Sequence, residues 1–383
     1  MKILVLSRGV PNHHDPQEGC FELDQAKALK SLGHDVTIMA VDSRVRRYWR
    51  PLGISQRVVD GIMTFKLFLF PTSIIRHLLS FKFGLKLESI QACWLYKYLV
   101  KHTGDYDLVH AHFLTNIYYA AHIKRKYSIP VIGTEHWSEL DVDTLKPHVS
   151  YLGHNAYPYI DCLISVCQSL QSRINKHFSI NSYVIHNMIA DYFTLESTNM
   201  ESHSKFRFIA VGSLIHRKGF DILINAFALS YLSENAELII IGDGPEHTNL
   251  QKHIDKLGLQ QNIKLLGRKS KSEIVELLKS SHIYISSSRS ENFSVAILEA
   301  LSMGLPVIAT VCGGIKECVN EGNGLLVPIE NAEELAVAMK KMYDNYTNYD
   351  RGIIRQDCLD KYSPKVIAKQ IESVYSKVFN QDV

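Results

Sequence analysis

Short apolar segments rich in β-branched residues recur along the chain, each separated from the next by enough residues to form a helix. Consecutive parallel strands need such long crossover connections, whereas antiparallel strands can be joined by tight turns. Parallel strands are covered by helices on both faces, so they are expected to be almost continuously apolar. The predicted strands are residues 3–6, 36–41, 108–110, 131–134, 162–166 and 183–185, followed by 206–211, 237–241, 263–266, 283–285, 307–310 and 324–327.

The predicted strands form two series, and the polar stretch between Ile189 and Ser204 interrupts the pattern between them. A chain of 383 residues is also too long for one typical domain. We therefore predict an α/β protein with two doubly wound, Rossmann-like parallel-sheet domains that face a cleft. The predicted domains are residues 1–190 and 191–363, and residues 364–383 form a C-terminal helical segment.

The net charge of +3 conceals an uneven distribution along the chain. Residues 1–190 contain 21 Lys and Arg against 15 Asp and Glu, a net charge of +6. Residues 191–383 contain 21 Lys and Arg against 24 Asp and Glu, a net charge of −3. Neither value predicts binding to nucleic acid by bulk electrostatics.

Much of the basic excess lies in one stretch that is also rich in aromatic residues. It contains Arg44, Arg46, Arg47, Arg50 and Arg57, with Tyr48 and Trp49 between them, and is followed by the apolar and basic residues 65–87. One interpretation is a solvated loop and helix whose aromatic side chains pack on the core. The alternative is peripheral contact with an anionic membrane surface, near which each basic residue contributes about 1 kcal/mol.

Neither the cysteines nor the start of the chain indicates secretion. The seven cysteines are scattered and never spaced as Cys-x-x-Cys, which argues against a disulfide framework and a zinc site. The first residues enter a strand pattern without a leader, and no apolar stretch approaches the ~20 residues of a spanning helix. We expect a soluble, cytoplasmic protein.

The segment SSSRSENFSVAILEALSMGLP, residues 286–306, directly follows the predicted strand 283–285. It places Glu291 in a strand-to-helix loop and Glu299 inside the helix that begins near Ser294. The two carboxylates are therefore too far apart to act as one close pair. Glu291 is suited to the mouth of a site, and Glu299 to accepting hydrogen bonds from a diol.

Two features of neighbouring loops favour a diphosphate ligand. The amides of Ser294 and Val295 begin the helix, lack partners within it and lie at its positive end. The loop after strand 206–211 carries Arg217 and Lys218 before another helix. The Arg fork and the Lys point charge can bind phosphate oxygens and stabilise the charge on a leaving nucleoside diphosphate. Together these groups suggest a nucleotide-sugar ligand.

The same residues belong to a longer series of short motifs. In chain order, the motifs are the loop up to Gly19, Gly33-His34-Asp35-Val36, His110-Ala111-His112, Thr134-Glu135-His136, Asn187, Gly212 with Arg217-Lys218-Gly219, Gly242-Asp243-Gly244-Pro245, Gly267, and Glu291 to Glu299 with Gly304-Leu305-Pro306-Val307. With this series the chain resembles the retaining glycosyltransferases of family 4, which have the two-domain GT-B-type fold. It is similar to those of bacterial capsule, O-antigen or exopolysaccharide synthesis. The match is colinear over nearly the whole chain.

The resemblance implies roles for the domains and for individual residues. Residues 1–190 would bind the acceptor, residues 191–363 would bind the donor, and residues 364–383 would cross back to the first domain. The implied catalytic residues are Glu291, His136, Arg217 and Lys218. The implied donor-binding residues are Gly19, Gly212, Arg217, Lys218, Gly267, Arg268, Glu291, Phe293, Ser294, Val295 and Glu299.

In these roles, Glu299 would bind the ribose hydroxyls of the donor and Glu291 the hydroxyls of its sugar. His136 would lie near the donor sugar and the acceptor, and the Gly19 loop would approach the phosphates. The chain departs from the family at Ser213, where many relatives have Arg. Diphosphate binding would therefore depend more strongly on Arg217 and Lys218.

Other interpretations of single motifs are weaker. His110 and His112 lie two apart on a predicted strand, but no third ligand with a fixed spacing completes a metal site. Gly242-Asp243-Gly244-Pro245 lacks the third glycine of a dinucleotide-binding motif, because position 247 is His247. A lone histidine such as His136 is usually structural, but its place at the end of a strand favours a ligand. We expect no metal and no cofactor besides the nucleotide-sugar co-substrate.

The sequence thus favours a retaining glycosyltransferase that moves a hexosyl unit from a UDP- or GDP-sugar to a hydroxyl of a saccharide or polyprenyl-linked acceptor. We expect it to act in cell-surface polysaccharide synthesis, in the cytoplasm or peripherally on the inner face of the cell membrane. The alternatives are a nucleotide-sugar epimerase or phosphorylase with the same fold, and a noncatalytic nucleotide-sugar-binding protein. The donor sugar, the nucleobase and the acceptor depend on loop shapes that one sequence does not disclose.

Overall fold

A computed structural model describes residues 1–15, 17–44, 52–70, 80–194 and 205–380. The chain forms two compact units, the first comprising Met1–His186 and the C-terminal helix, the second Asn187–Ser363. The division falls between residues 186 and 187, where the sequence pattern predicts 190 and 191. Each unit is built on a sheet of mostly parallel strands, so the prediction of two α/β domains is confirmed.

The first unit contains a mixed sheet with helices between its strands. Its strands are β1 (Lys2–Ser7), β2 (Asp35–Asp42), β3 (Gly53–Val59), β4 (Ile62–Phe68), β5 (Leu108–His112), β6 (Val131–Glu135), β7 (Cys162–Ser165) and β8 (Tyr183–Val184). The helices between them are α1 (Cys20–Ser31), α2 (Phe81–Thr103), α3 (Leu114–Tyr127), α4 (Pro147–Ala156) and α5 (Gln168–Phe178). The strand order is β3-β4-β2-β1-β5-β6-β7-β8, and β3 pairs antiparallel with β4 while the other described pairs are parallel.

The second unit contains a sheet in which every described strand pair is parallel. Its strands are β9 (Phe206–Val211), β10 (Ala236–Ile241), β11 (Ile263–Leu265), β12 (Ile283–Ser286), β13 (Val307–Thr310) and β14 (Gly324–Val327), in the order β11-β10-β9-β12-β13-β14. Its helices are α6 (Asp191–Thr194), α7 (Phe220–Leu229), α8 (His247–Lys256), α9 (Lys271–Lys279), α10 (Val295–Ser302), α11 (Ala332–Asp344) and α12 (Arg351–Tyr362).

Local sequence signals explain where the second unit's elements form. All six residues of β10 are buried, as expected for a strand covered on both faces. Phe208, Leu223 and Leu335 belong to one buried cluster that joins β9, α7 and α11. At the start of α9, Ser270 and Glu273 form a capping box, which satisfies two amides that the helix itself leaves unpaired.

The apolar pattern does not predict the hairpin of β3 and β4. β4 includes Phe65 and Lys66, which are 2% and 3% exposed. The start of the apolar and basic stretch 65–87 is therefore a buried strand and not part of a membrane-binding surface. Arg46, Arg47, Arg50, Tyr48 and Trp49, which belong to the predicted basic stretch, lie outside the described residues, as do residues 71–79.

Lys66 is buried because it is paired with two carboxylates. Its Nζ lies 2.9 Å from Glu18 Oε2 and 3.2 Å from Asp42 Oδ2. Arg44 pairs with the same two carboxylates. Arg44 is thus engaged within the first unit, and this four-residue network ties the loop before α1 to β2 and β4.

The chain returns to the first unit in α13 (Pro364–Asn380). Buried in this unit, Tyr375 Oη lies 2.6 Å from His110 Nδ1. Glu372 pairs with His34 at 3.2 Å. These contacts anchor the C-terminal helix to β5 and to the loop before β2.

Two predictions about composition can be compared with the structure. The seven cysteines, all within the described residues, are thiols and not disulfides. In the described ranges, every helix is too short or too polar to cross a membrane, including the long α2.

The Lys66 network leads to a stability prediction. Lys66→Met would remove the buried cation that pairs with both Glu18 and Asp42, so the free energy of unfolding of the first unit should fall by about 3–5 kcal/mol. Tryptophan fluorescence during urea unfolding reports on this unit alone, because Trp49, Trp94 and Trp137 all precede residue 187.

The matched control is Lys27→Met, which removes a solvent-accessible pair with Asp60 at 3.4 Å and should cost at most about 1 kcal/mol. Equal losses in the two variants would contradict a structural role for the buried network.

Candidate functional site

Loops that follow neighbouring strands of the second unit are joined at the carboxyl edge of its sheet. Gly212 N donates to Ile241 O at 2.9 Å, and Gly242 N donates to Gly267 O at 3.0 Å. The loops after β9, β10 and β11 therefore lie side by side, and the predicted residues Gly212 and Gly267 belong to one edge. Arg268, the next predicted residue, is exposed. Open α/β sheets bind their ligands at this edge.

A carboxylate and two cations form the centre of this edge. Glu291 Oε1 lies 2.5 Å from Lys218 Nζ, and Glu291 Oε2 lies 3.0 Å from Arg217 Nη1. Glu291 is 8% exposed, so these interactions are shielded from solvent on one side. The structure thus brings three of the predicted catalytic residues into direct contact, with a net charge of +1 among them.

Arg289, in the loop after β12, binds the loop after β9. Its amide donates to Arg217 O at 2.8 Å, and its guanidinium donates to His216 O at 2.6 Å. Two further bonds, of 2.9 and 2.7 Å, go to the carboxylate of Asp221. Hydrogen bonding to Asp221 raises the pKa of Arg289. The sequence offers no signal for this role, because Arg289 is one polar residue within a serine-rich loop.

Close backbone packing fixes the position of Lys218. It ends a short 3₁₀ helix, His216–Lys218, and Gly219 follows with φ of 63°. A Cβ on Gly219 would lie 2.1 Å from Ser287 O, and Ser287 Oγ donates to Lys218 O at 3.1 Å. The loops after β9 and β12 can approach this closely only because residue 219 has no side chain.

The start of α10 is held in the same region. Asn187 Nδ2 donates to Phe293 O at 2.9 Å, and Phe293 is buried. α10 begins at Val295, one residue after the predicted start near Ser294, and the side chain of Ser294 caps none of its amides. The first amides of α10 are therefore not capped by Ser294, so this helix terminus retains its preference for negative charge.

Glu299 lies one turn into α10 and is half-buried. Beside it, Tyr284 donates its hydroxyl to Val211 O at 3.2 Å. Burial raises the pKa of Tyr284, and the charges of Glu299 and Glu291 add to the rise. The charges of Glu291 and Glu299 therefore both act on the buried Tyr284, although the two carboxylates do not form a close pair.

Three histidines are stacked at the carboxyl edge of the first unit's sheet. The ring of His112 lies 4.6 Å from that of His110 and 5.4 Å from that of His136, centroid to centroid. His112 Nδ1 is 3.1 Å from His136 Nε2, and His110 Nε2 is 2.7 Å from Thr134 Oγ1. Burial, and next the charge that His136 carries when protonated, lower the pKa of His110 to about 3. Burial also lowers the pKa of His112 well below its usual value.

Glu135 shapes the loop that carries His136. Its carboxylate accepts hydrogen bonds from the amides of His136 and Trp137, at 3.1 and 3.0 Å, and from Tyr157 Oη at 3.0 Å. Burial raises the pKa of Glu135 to about 7. The sequence gives Glu135 no role of its own, since a residue between Thr134 and His136 is expected only to continue the strand.

Gly19, the remaining predicted residue, lies in the loop before α1 with φ of 67°. A Cβ at this position would lie 2.2 Å from Gly9 O. Glycine is thus required here by the folding of the loop on itself, independently of any ligand.

Metal-ligating residues do not cluster in the described parts of the chain, which contain no group of three or more His, Cys, Asp or Glu that could hold an ion. Both ring nitrogens of His110 are engaged, with Tyr375 and Thr134. The structure therefore gives the ring of His110 a structural role within the stack.

The family models agree with this architecture. The model described as "Glycosyl transferases group 1" matches residues 195–357, and the model described as "Glycosyltransferase Family 4" matches residues 23–191. This pair of domains defines the class of GT-B-type glycosyltransferases. More narrowly, the chain belongs to the family 4 glycosyltransferases, and the predictions of this family and of a transferase are confirmed.

Individual relatives are distant. The chain is 31% identical to an uncharacterized glycosyltransferase of Methanocaldococcus jannaschii, over 62% of the chain and 66% of that protein. It is 24% identical to a putative teichuronic acid biosynthesis glycosyltransferase of Bacillus subtilis, over 89% of each chain. Among solved structures, that of Anabaena HepE in complex with UDP matches with a TM-score of 0.75 and 19% identity, over 98% of this chain and 100% of that one.

The packing at Gly219 leads to a second prediction. Gly219→Ala should destabilise the second unit, because the alanine would be strained at positive φ and its Cβ would collide with Ser287 O. Gly258→Ala is a matched control, since Gly258 has φ of 69° and open space around its Cβ position.

In Gly258→Ala, backbone strain alone should lower the free energy of unfolding by about 1–2 kcal/mol. Gly219→Ala should lower the free energy of unfolding of the second unit by clearly more. The measurement is circular dichroism, in the unfolding transition that tryptophan fluorescence does not detect. Equal losses would show that the loops after β9 and β12 can separate freely.

The buried histidine stack leads to a prediction on pH. Between about pH 6.5 and pH 3, the unfolded chain binds a proton at His110 that the folded protein does not. Acidification over this window therefore lowers the free energy of unfolding, by up to about 1.4 kcal/mol per pH unit for one group. Glu135 acts in the opposite direction between about pH 7 and pH 4.5, where the folded protein holds the additional proton.

In urea unfolding followed by tryptophan fluorescence at several pH values, His110→Asn should weaken the acid dependence and Glu135→Gln should strengthen it. Replacement of the exposed His102 by Asn is the control and should leave the slope unchanged. A slope that none of the three substitutions alters would mean that neither His110 nor Glu135 retains its unusual pKa.

Proposed function

We propose that the protein is a retaining glycosyltransferase that moves a hexosyl unit from a UDP-sugar to a hydroxyl of a saccharide or lipid-linked saccharide. The observation that carries this proposal is the contact of Glu291 with both Lys218 and Arg217, next to the start of α10. Two cations and a helix N-terminus are suited to a diphosphate, and a carboxylate beside them is suited to sugar hydroxyls.

In the proposed reaction, the bond between the anomeric carbon and the diphosphate oxygen breaks, and a bond from the acceptor oxygen forms on the same face. The acceptor proton passes to the departing phosphate, so no side chain has to act as a strong nucleophile. Lys218, Arg217 and the first amides of α10 would stabilise the charge on the leaving group. His136 is proposed to contact the transferred sugar, and Glu299 the ribose. The reaction as proposed needs no metal.

Glu291 has a second effect in this proposal. While bonded to Lys218 and Arg217, it neutralises part of the charge that a diphosphate would meet. Diphosphate binding must therefore compete with Glu291 for the two cations, and Glu291 would then be available to the sugar hydroxyls. Donor binding and the placement of the sugar-binding carboxylate are coupled in this way.

The nucleobase and the acceptor are proposed from the relatives. Anabaena HepE was solved with UDP, which favours UDP over GDP as the nucleotide. The relative from Bacillus subtilis is named for teichuronic acid biosynthesis, which favours cell-surface polysaccharide synthesis. A polyprenyl-linked acceptor would place the reaction at the inner face of the cell membrane.

The test measures binding of UDP and release of UDP from a panel of UDP-hexoses, with NMR of the product to show the anomeric configuration. Lys218→Ala should weaken UDP binding and lower kcat/KM by about 10²–10³-fold. Glu291→Gln should lower kcat while UDP binds at least as tightly as to the unmodified protein, because the amide no longer neutralises the two cations.

Lys269→Ala removes a solvent-accessible pair with Glu273 at 3.0 Å in the same unit and is the control. Unchanged turnover in both site variants would contradict the catalytic proposal and favour a noncatalytic nucleotide-sugar-binding protein. Release of an epimerised free sugar, or a requirement for inorganic phosphate, would instead indicate an epimerase or a phosphorylase.

A further inference from the structure

Helix α2 exposes a straight stripe of apolar and basic side chains. The stripe consists of Phe83, Lys86, Ile90, Trp94, Lys97 and Lys101. At 100° per residue these six positions fall within roughly 80° of the helix surface, and at 1.5 Å per residue they extend over about 27 Å. The stripe is therefore one continuous feature of the helix.

The apolar members of the stripe are unusually exposed for their size. Phe83, Ile90 and Trp94 are 52%, 55% and 52% exposed. Trp94 also stacks on Tyr98, with a centroid distance of 6.0 Å. The opposite face of α2, including Leu85, Ala92 and Leu99, is buried against the unit, so the helix and its exposed stripe are held in place.

The charges on this face are of one sign. Lys86, Lys97 and Lys101 are exposed, and none of them pairs with a carboxylate among the residues that the structure describes. Glu88, the one acidic residue of α2, lies on the buried face, where it accepts hydrogen bonds from Ser43 and Tyr119. The exposed face of α2 is thus apolar and cationic throughout.

We propose that this stripe is a docking surface for an anionic lipid bilayer. Phe83, Ile90 and Trp94 would enter the boundary between head groups and acyl chains, while the flexible lysine side chains would reach the lipid phosphates. A stripe about 27 Å long and roughly 10 Å wide offers on the order of 300 Å². This is well below the ~800 Å² per partner of a stable protein interface, whereas a bilayer can surround each projecting side chain.

This surface overlaps the one that the sequence suggests only at Phe83 and Lys86, which lie within residues 65–87. Arg44 of the basic stretch is paired with Glu18 and Asp42, and residues 65–68 are buried in β4. The inference rests on the proposed function only in that a lipid-linked acceptor would require the enzyme at a membrane. Vesicle binding itself requires neither donor nor acceptor.

The experiment is flotation of the full chain with vesicles of phosphatidylcholine alone and of phosphatidylcholine with 30% phosphatidylglycerol. We expect binding to the anionic vesicles and its reduction by high salt. Replacing Lys86, Lys97 and Lys101 by Gln should weaken partitioning by about a hundredfold. Replacing Phe83, Ile90 and Trp94 by Ala should weaken it by at least about tenfold.

Matched controls come from exposed residues of the second unit. Gln replaces Lys252, Lys256 and Lys341 for charge, and Ala replaces Val337 and Ile353, which are 64% and 67% exposed, for apolar surface. Binding should be retained in both controls. Trp94→Phe should in addition abolish most of the blue shift in tryptophan emission on anionic vesicles, because Trp94 is the tryptophan within the stripe.

Failure of the unmodified protein to float with anionic vesicles would overturn the inference. The same holds for equal losses in stripe and control variants, or for self-association that depends on the stripe without vesicle binding. UDP release is measured on the same preparations. Loss of flotation with normal UDP release would contradict the docking surface alone. Flotation without UDP release would contradict the proposed function alone.

Discussion

The carboxylate of Glu291 joins two loops whose cations would otherwise repel each other. Parallel strands bring the loops after β9 and β12 to one edge, but a loop with Arg217 and Lys218 beside another with Arg289 would repel itself. Glu291 neutralises one of the two charges of Arg217 and Lys218, and Arg289 pairs with both Asp221 and Glu330. These six side chains carry three positive and three negative charges, and each cation is held in a fixed position because it already has a carboxylate partner.

At the carboxyl edge of the first unit's sheet, burial favours the neutral forms of several groups. Burial disfavours protonation of His110 and His112, and it favours protonation of Glu135. His136 thus stacks on a His112 ring whose neutral form is favoured by burial. Neutral polar groups are suited to sugar hydroxyls, whereas Arg217 and Lys218 of the second unit are suited to phosphates.

Features that depend on neighbouring residues could be predicted from the sequence. The strands of the second unit, the start of α10 and the loop positions of Arg217, Lys218 and Glu291 follow from apolar runs and from the motif around them. β4 could not be predicted in the same way, because Lys66 interrupts its apolar pattern and its partners Glu18 and Asp42 are distant in sequence. The roles of Arg289 and Glu135 could not be predicted for the same reason, because they depend on contacts that only the folded chain creates.

Because α13 belongs to the first unit, that unit becomes complete only at the end of translation. Tyr375 completes the hydrogen bonding of His110, which lies in the middle of the first sheet. The residues between His186 and Pro364 must be translated before α13 exists, which takes roughly ten to forty seconds at 5–20 residues per second. During that interval the first unit lacks its last helix, and the apolar surface that α13 later covers is available to chaperones.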